Sequence, residues 1–148
     1  MDEWNHLEDS EYTTIRKIYR KIKSSKTRMF FYGSRVTARS QVNENTDYDV
    51  LFYVPVSRML GVLKYLTDKE DFVISLGEDS PYQCDVVSTR KDKMNIVVTS
   101  CKRSFLNYMK ATELCEYLPD LDKNMRVDVY DYLVRGTEFP LSVGNING

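Results

Sequence analysis

The chain is expected to fold as α+β, with a mixed, mainly antiparallel sheet of about five strands flanked by helices. Three observations predict this. Apolar segments of helical and strand period succeed one another as helix, strand, short helix, strand, helix, three strands, two helices. The last two strands read as a hairpin, which forces antiparallel pairing. The 148 residues, 42% hydrophobic and 29% charged, have the length and balance to bury a core, which argues against disorder.

Each element follows from its residues. Residues 9–23 read as a helix, because Tyr12, Ile15, Ile18, Tyr19 and Ile22 recur on one face. Asp9 or Ser10 can cap it, and Ser24-Ser25 ends it. Met29 to Tyr32 abut Gly33 and read as a buried strand. A short helix is expected over 34–40 and a loop over 41–46. Val50 to Val54 form a second buried strand, which Pro55 stops. Met59, Leu60, Val62, Leu63 and Leu66 then predict a helix over about 57–67.

Residues 71–75 read as a strand and 76–81 as a turn. The segments 82–90 and 94–100 make the hairpin, joined through Lys91-Asp92-Lys93. Phe105, Tyr108, Met109 and Thr112 line a helix over about 103–116, broken by Pro119. A last helix runs over about 121–135 and stops at Gly136. One domain is expected, with its core over about 9–136 and tails over 1–8 and 137–148.

Composition argues against several function classes. Net charge is −1, so no global basic field points to nucleic acid, although a local basic patch stays open. His6 is the only histidine and lies in the N-terminal tail, which argues against a histidine zinc site, a Ser-His-Asp triad and a Cys-His pair. Cys84, Cys101 and Cys115 fit no CxxC pair and read as buried free thiols of a reducing compartment. No apolar run reaches membrane-spanning length, and the acidic N-terminus is unlike a signal peptide, so a cytoplasmic protein without a membrane partner is expected. Any acid–base or metal chemistry falls to carboxylates.

The stretch FFYGSRVTARSQVNENTDYDVLFYV, residues 30–54, carries such chemistry. Residues i and i+2 of a strand share a face, so Asp47 and Asp49 project two carboxylates in parallel while Tyr48 and Val50 point into the fold. Two parallel carboxylates suit Mg²⁺, which takes hard oxygen ligands and shares its shell with phosphates. Gly33-Ser34 closes one strand and opens a helix, offering backbone N–H groups to an anion. Arg35 and Arg39, one helical turn apart, can reach phosphate oxygens. Taken singly, each feature has a plainer reading. Asp-Tyr-Asp is also a turn leading into a strand, and the two arginines are also a solvated helix face.

The combination resembles the signature of the nucleotidyltransferases of the DNA polymerase beta superfamily: Gly-Ser, a spacer, then Asp-x-Asp. Small single-domain members, often encoded by bacteriophages, look closest. MNIVVTS, ATELCEYL and DKNMRVDVYDYLVRG are similar to theirs in order and spacing, so that the resemblance spans roughly residues 28–136. It implies a nucleotidyltransferase fold, an NTP such as ATP as substrate, and Mg²⁺ or Mn²⁺ as cofactor. It also implies Gly33 and Ser34 at the phosphates and Asp47 and Asp49 at the metal. The reaction would carry a nucleoside monophosphate to an acceptor: a protein hydroxyl, a nucleic-acid 3′ end or a small molecule.

The superfamily usually adds a third carboxylate from a later strand. Here Asn95 stands in the expected place, and Asp85, one strand earlier, is the carboxylate on offer. Asp85 faces the site or is satisfied within the hairpin; the residues leave both open. Arg90, Lys91 and Lys93 make a basic hairpin tip, a solvated turn or else an acceptor or triphosphate contact. A nucleotide-binding module without turnover and a scaffold that engages a partner protein are the alternatives to an enzyme.

Overall fold

A computed structural model describes residues 10–75, 86–118 and 120–135. Five strands form one sheet: β1 (Arg28–Tyr32), β2 (Tyr48–Tyr53), β3 (Val73–Ser75), β4 (Val86–Lys91) and β5 (Met94–Thr99). Their order is β1-β2-β5-β4-β3. β2 pairs antiparallel with β1 and parallel with β5, and the pairs β4–β5 and β3–β4 are antiparallel. The sheet is therefore mixed and mainly antiparallel, as the sequence predicts.

Among the described residues five α-helices accompany it: α1 (Ser10–Ile22), α2 (Ser34–Thr37), α3 (Val56–Lys69), α4 (Lys102–Tyr117) and α5 (Lys123–Tyr130). One sheet face packs against α1 and α3. Tyr48, Val50 and Phe52 of β2 and Val54 just after it, with Ile96 and Val98 of β5, meet Tyr12, Ile15, Ile18, Val62 and Leu66 there. On the other face α4 crosses β1, with Phe105 edge-on to Phe30 at 6.3 Å and Tyr108 against Tyr32 at 5.1 Å. A smaller cluster, Ala111, Cys115 and Val129, joins α4 to α5.

Several expected boundaries shift for physical reasons. The 34–40 helix divides into α2 and a 3₁₀ turn, Arg39–Gln41, because Ala38 leaves the helical region at φ −142°. The strand expected over 71–75 starts at Val73. Asp71 takes φ +63°, and the Phe72 amide turns back to the Leu66 carbonyl, closing α3. Lys91 pairs with Met94, so the hairpin turn is only Asp92-Lys93, with Asp92 at φ +53°; Asp tolerates this region better than most residues. Leu60, expected on the buried face of its helix, is 71% exposed. The last helix begins at Lys123, where Asp122 caps the Met125 amide, and relaxes into a π turn at Asp131–Arg135. Cys115 is buried and Cys101 half-buried; Cys84 lies outside the described residues.

Candidate functional site

The sheet register assembles the centre of the site. Tyr32 pairs with Asp49, Asp49 with Asn95, and Asn95 with Arg90. Directly paired residues share a face, so Tyr32, Asp49, Asn95 and Arg90 stand in one row across four strands. Asp47 sits one step before β2 on the same side. Tyr48 between the two aspartates is buried edge-on against Tyr12, with ring centroids 4.9 Å apart. The parallel projection of Asp47 and Asp49 expected from strand period is therefore present.

The two carboxylates have different surroundings. Asp49 Oδ1 accepts a hydrogen bond from Asn95 Nδ2 at 3.1 Å. Its other oxygen lies over Gly33, where an added Cβ would come within 2.1 Å of Oδ2. Burial raises the Asp49 carboxyl from the usual value near 3.8 to about 6; the Asn95 hydrogen bond opposes that rise and the charge of Asp47 adds to it. Asp47 is more open, and its Oδ1 accepts from the Arg90 guanidinium at 2.7 Å.

Gly33 thus has a duty that composition does not suggest. Its φ of +84° and ψ of −167° lie where side chains are essentially excluded. The turn it makes brings the backbone against the Asp49 carboxylate. Its carbonyl accepts from the Val36 and Thr37 amides and the Thr37 hydroxyl, which starts α2. Ser34 borders two adjoining clefts of about 350 and 380 Å³, both also bordered by Asp49, Lys123 and Arg126.

The other expected residues are placed as follows. The Arg35 guanidinium donates to the carbonyls of Thr46 at 3.0 Å and Asn43 at 3.4 Å, and stacks 3.7 Å over the Tyr48 ring. It braces the loop before Asp47 instead of facing the clefts. Arg39 is exposed on the 3₁₀ turn. At the hairpin tip, Arg90 holds Asp47 and Lys93 Nζ donates to the Glu44 carbonyl, so both basic groups buttress that same loop. Asp85 lies outside the described residues; Val86, which follows it, pairs with Thr99, at the far end of β5 from Asn95. Among the described residues no group of three or more His, Cys, Asp or Glu is arranged to hold a metal ion.

α5 supplies residues that the sequence does not single out. Lys123 and Arg126 form the basic wall of both clefts. Arg126 is 6% exposed, and its guanidinium donates to the Leu121 carbonyl at 2.8 Å and to Gln41 Oε1 at 3.4 Å. Tyr32, Tyr108 and Tyr130 form a triangle at the cleft floor, with centroids 5.1 to 6.1 Å apart. Tyr130 and the Thr112 hydroxyl share a 2.6 Å hydrogen bond. Burial pushes the Tyr32 and Tyr130 hydroxyls up, so both stay neutral. A signal for these residues exists, since Arg126, Val129 and Tyr130 lie on one helical face, but nothing local says that the face meets Gly33.

No protein-family model matches the chain, and no characterised protein matches it in sequence. Solved structures do. A cytoplasmic RNA terminal U-transferase matches with a TM-score of 0.51 at 15% identity, over 88% of this chain and 38% of its own. Cid1 in complex with its short product ApU matches with a TM-score of 0.51 at 14% identity, over 88% and 40%. A mutant Cid1 poly(U) polymerase bound to MgATP matches with a TM-score of 0.50 at 16% identity, over 88% and 41%. The chain spans about two fifths of the length of these proteins. It has the nucleotidyltransferase fold.

Proposed function

We propose that the chain is a metal-dependent nucleotidyltransferase that moves a nucleoside monophosphate from an NTP to an acceptor hydroxyl, releasing pyrophosphate. The observation that carries this is the Asp49 carboxylate held against Gly33 on the floor of a cleft, with Asp47 one strand step outward. In this role the chain acts as a small single-domain enzyme of the bacteriophage type, in the cytoplasm.

Asp47 and Asp49 suit one hard divalent cation. They are two oxygen donors on one strand face, and burial leaves Asp49 with a charge that a cation would relieve. Mg²⁺ or Mn²⁺ held there would neutralise phosphate charge. The Gly33-Ser34 turn and the Lys123–Arg126 wall orient the triphosphate. The tyrosine triangle offers an apolar floor for the base or sugar. The acceptor hydroxyl oxygen attacks the α-phosphorus and releases its proton to water, the bond to the β-phosphate oxygen breaks, and pyrophosphate leaves. Catalysis is mainly positioning and charge neutralisation. Arg35 acts through the loop that sets Asp47.

One observation favours a second reading, a nucleotide-binding module without turnover. Asn95 rather than a carboxylate adjoins Asp49, and an amide neither takes up a proton nor binds Mg²⁺ well.

Calorimetric titration of each of the four NTPs, with and without Mg²⁺, tests both. Binding that needs Mg²⁺ and is lost in Asp47→Asn supports the site. Pyrophosphate release from the bound NTP supports the enzyme, and binding without release supports the module. No binding of any NTP overturns both.

A further inference from the structure

A second cavity, of about 590 Å³, lies on the same sheet face as the clefts but at the opposite end of β2. From Asp49 to Tyr53 is four strand residues, about 13 Å. Arg28, Lys26 and Lys102 border this cavity, and Tyr53, Phe105 and Leu106 contribute its apolar wall. The Tyr53 and Phe105 rings meet at 6.0 Å. Arg28 is aimed by two backbone carbonyls, of Thr27 at 2.7 Å and Ser25 at 3.1 Å.

Charge in this chain is strongly segregated. Residues 12–43 contain no Asp or Glu, and neither do 50–67 or 93–112. The fold brings the middle of each stretch to one pole. The end of α1 meets the start of α3 through Arg58, which donates to the Ile22 carbonyl. The start of β1 pairs with the end of β2, and the end of β2 with the end of β5, which leads into α4. The acidic residues of the three helices lie at their other ends: Glu11, Asp68, and Glu113 with Glu116. Each is about 16 Å or more from the pole along its helix. Among the described residues that pole carries Lys21, Lys23, Lys26, Arg28, Lys102 and Arg103, with no acid at the ends of the helices and strands that meet there.

We infer that this pole is a binding site for single-stranded nucleic acid, distinct from the nucleotide cleft. Phosphates pair with Lys26, Arg28 and Lys102, and bases pack on the Tyr53–Phe105 wall. Cations set around aromatic faces suit a chain of alternating charges and planar rings. An acidic peptide would use the cations but not the rings. The site shares its sheet face with the cleft and does not depend on how the cleft is used.

The test is fluorescence anisotropy of the full chain with labelled U12 RNA and dT12 DNA at several salt concentrations. Expected is saturable binding whose logarithm falls with log salt at a slope of about −2, for three phosphates neutralised on a single strand. Binding to RNA alone or to both oligonucleotides supports the site and identifies the sugar it accepts. The variant carrying Lys26→Gln, Arg28→Gln and Lys102→Gln should bind at least tenfold more weakly. Lys102→Gln alone, which leaves the Arg28 contacts intact, should weaken binding severalfold, and Lys64→Gln should not. Phe105→Leu should lose about fivefold or more. Asp47→Asn should bind the oligonucleotides like the wild type, even where it loses NTP. Absence of binding at low salt, undiminished binding by the triple variant, or competition by polyglutamate equal to that by U12 would overturn the inference.

Discussion

Replacing Asp49 with asparagine should make the metal-free protein more stable, although Asp49 is central to the proposed chemistry. The Asp49 carboxyl is raised from near 3.8 to about 6, chiefly by burial. About two pH units correspond to roughly 3 kcal/mol at 1.36 kcal/mol per unit. The sign is fixed by linkage. A raised carboxyl means that the folded state binds the proton more tightly than the unfolded chain. The cost is absent below about pH 4, grows between about 4 and 6, and is fully present above. The substituted amide would carry no charge and could still accept from Asn95. At pH 8 the gain should approach 3 kcal/mol, and at pH 4 it should vanish. Urea unfolding of both proteins in EDTA at pH 8, 6 and 4.5 measures it. A variant less stable at pH 8, or a difference constant across pH, would refute the reasoning and give Asp49 a structural role. Mg²⁺ should stabilise the wild type and not the variant, because the ion relieves the same charge.

Other substitutions test other parts of the site. Gly33→Ala places a Cβ into Asp49 at a backbone angle reserved for glycine; it should cost about 3 kcal/mol in urea unfolding and weaken NTP binding in calorimetry. Arg35→Ala should destabilise by about 1–2 kcal/mol through the loss of its loop carbonyls and the Tyr48 ring. Arg35→Lys should recover little of this, because a lysine cannot span both carbonyls, and urea unfolding of both variants checks the pair. Asn95→Asp would set a third carboxylate within hydrogen-bond distance of Asp49. It should lower metal-free stability at pH 8 by about 2 kcal/mol and increase the thermal shift produced by Mg²⁺.

Much of the fold was legible because its signals are local. α1 and α3 announce themselves by helical period, β1 and β2 by apolar runs bounded by Gly33 and Pro55, and the hairpin by its polar turn. The alternation that exposes Asp47 and Asp49 and buries Tyr48 is also local, being the pleat of one strand. What was not legible depends on pairing between distant segments. Asn95 meets Asp49 because β5 lies parallel to β2, a register forty-six residues apart in sequence. Arg35 follows directly on the Gly33-Ser34 turn, yet it turns to the Thr46 carbonyl because the loop folds back past it. The approach of Gly33 to Asp49 and the arrival of Lys123 and Arg126 on α5 likewise follow from tertiary packing. Segregated charge was visible in the sequence all along, but net charge averages it away.

The two unequal apolar layers have a consequence for how the cleft opens. α1 and α3 close over an extensive buried cluster with β2 and β5, whereas the apolar contact of α5 with α4 rests on the small cluster Ala111, Cys115 and Val129, with the Thr112–Tyr130 hydrogen bond beside it. Regions with few buried contacts unfold locally at lower free energy than the core. Amides of α5 and its π turn should therefore exchange with deuterium well before those of β2 and β5. Lys123, Arg126 and Tyr130 would then part from Asp49 as one unit while the sheet that carries the carboxylates stays intact. One wall of the cleft would then behave as a shutter on a fixed frame, and a ligand that bridges the two should slow α5 exchange toward that of the sheet.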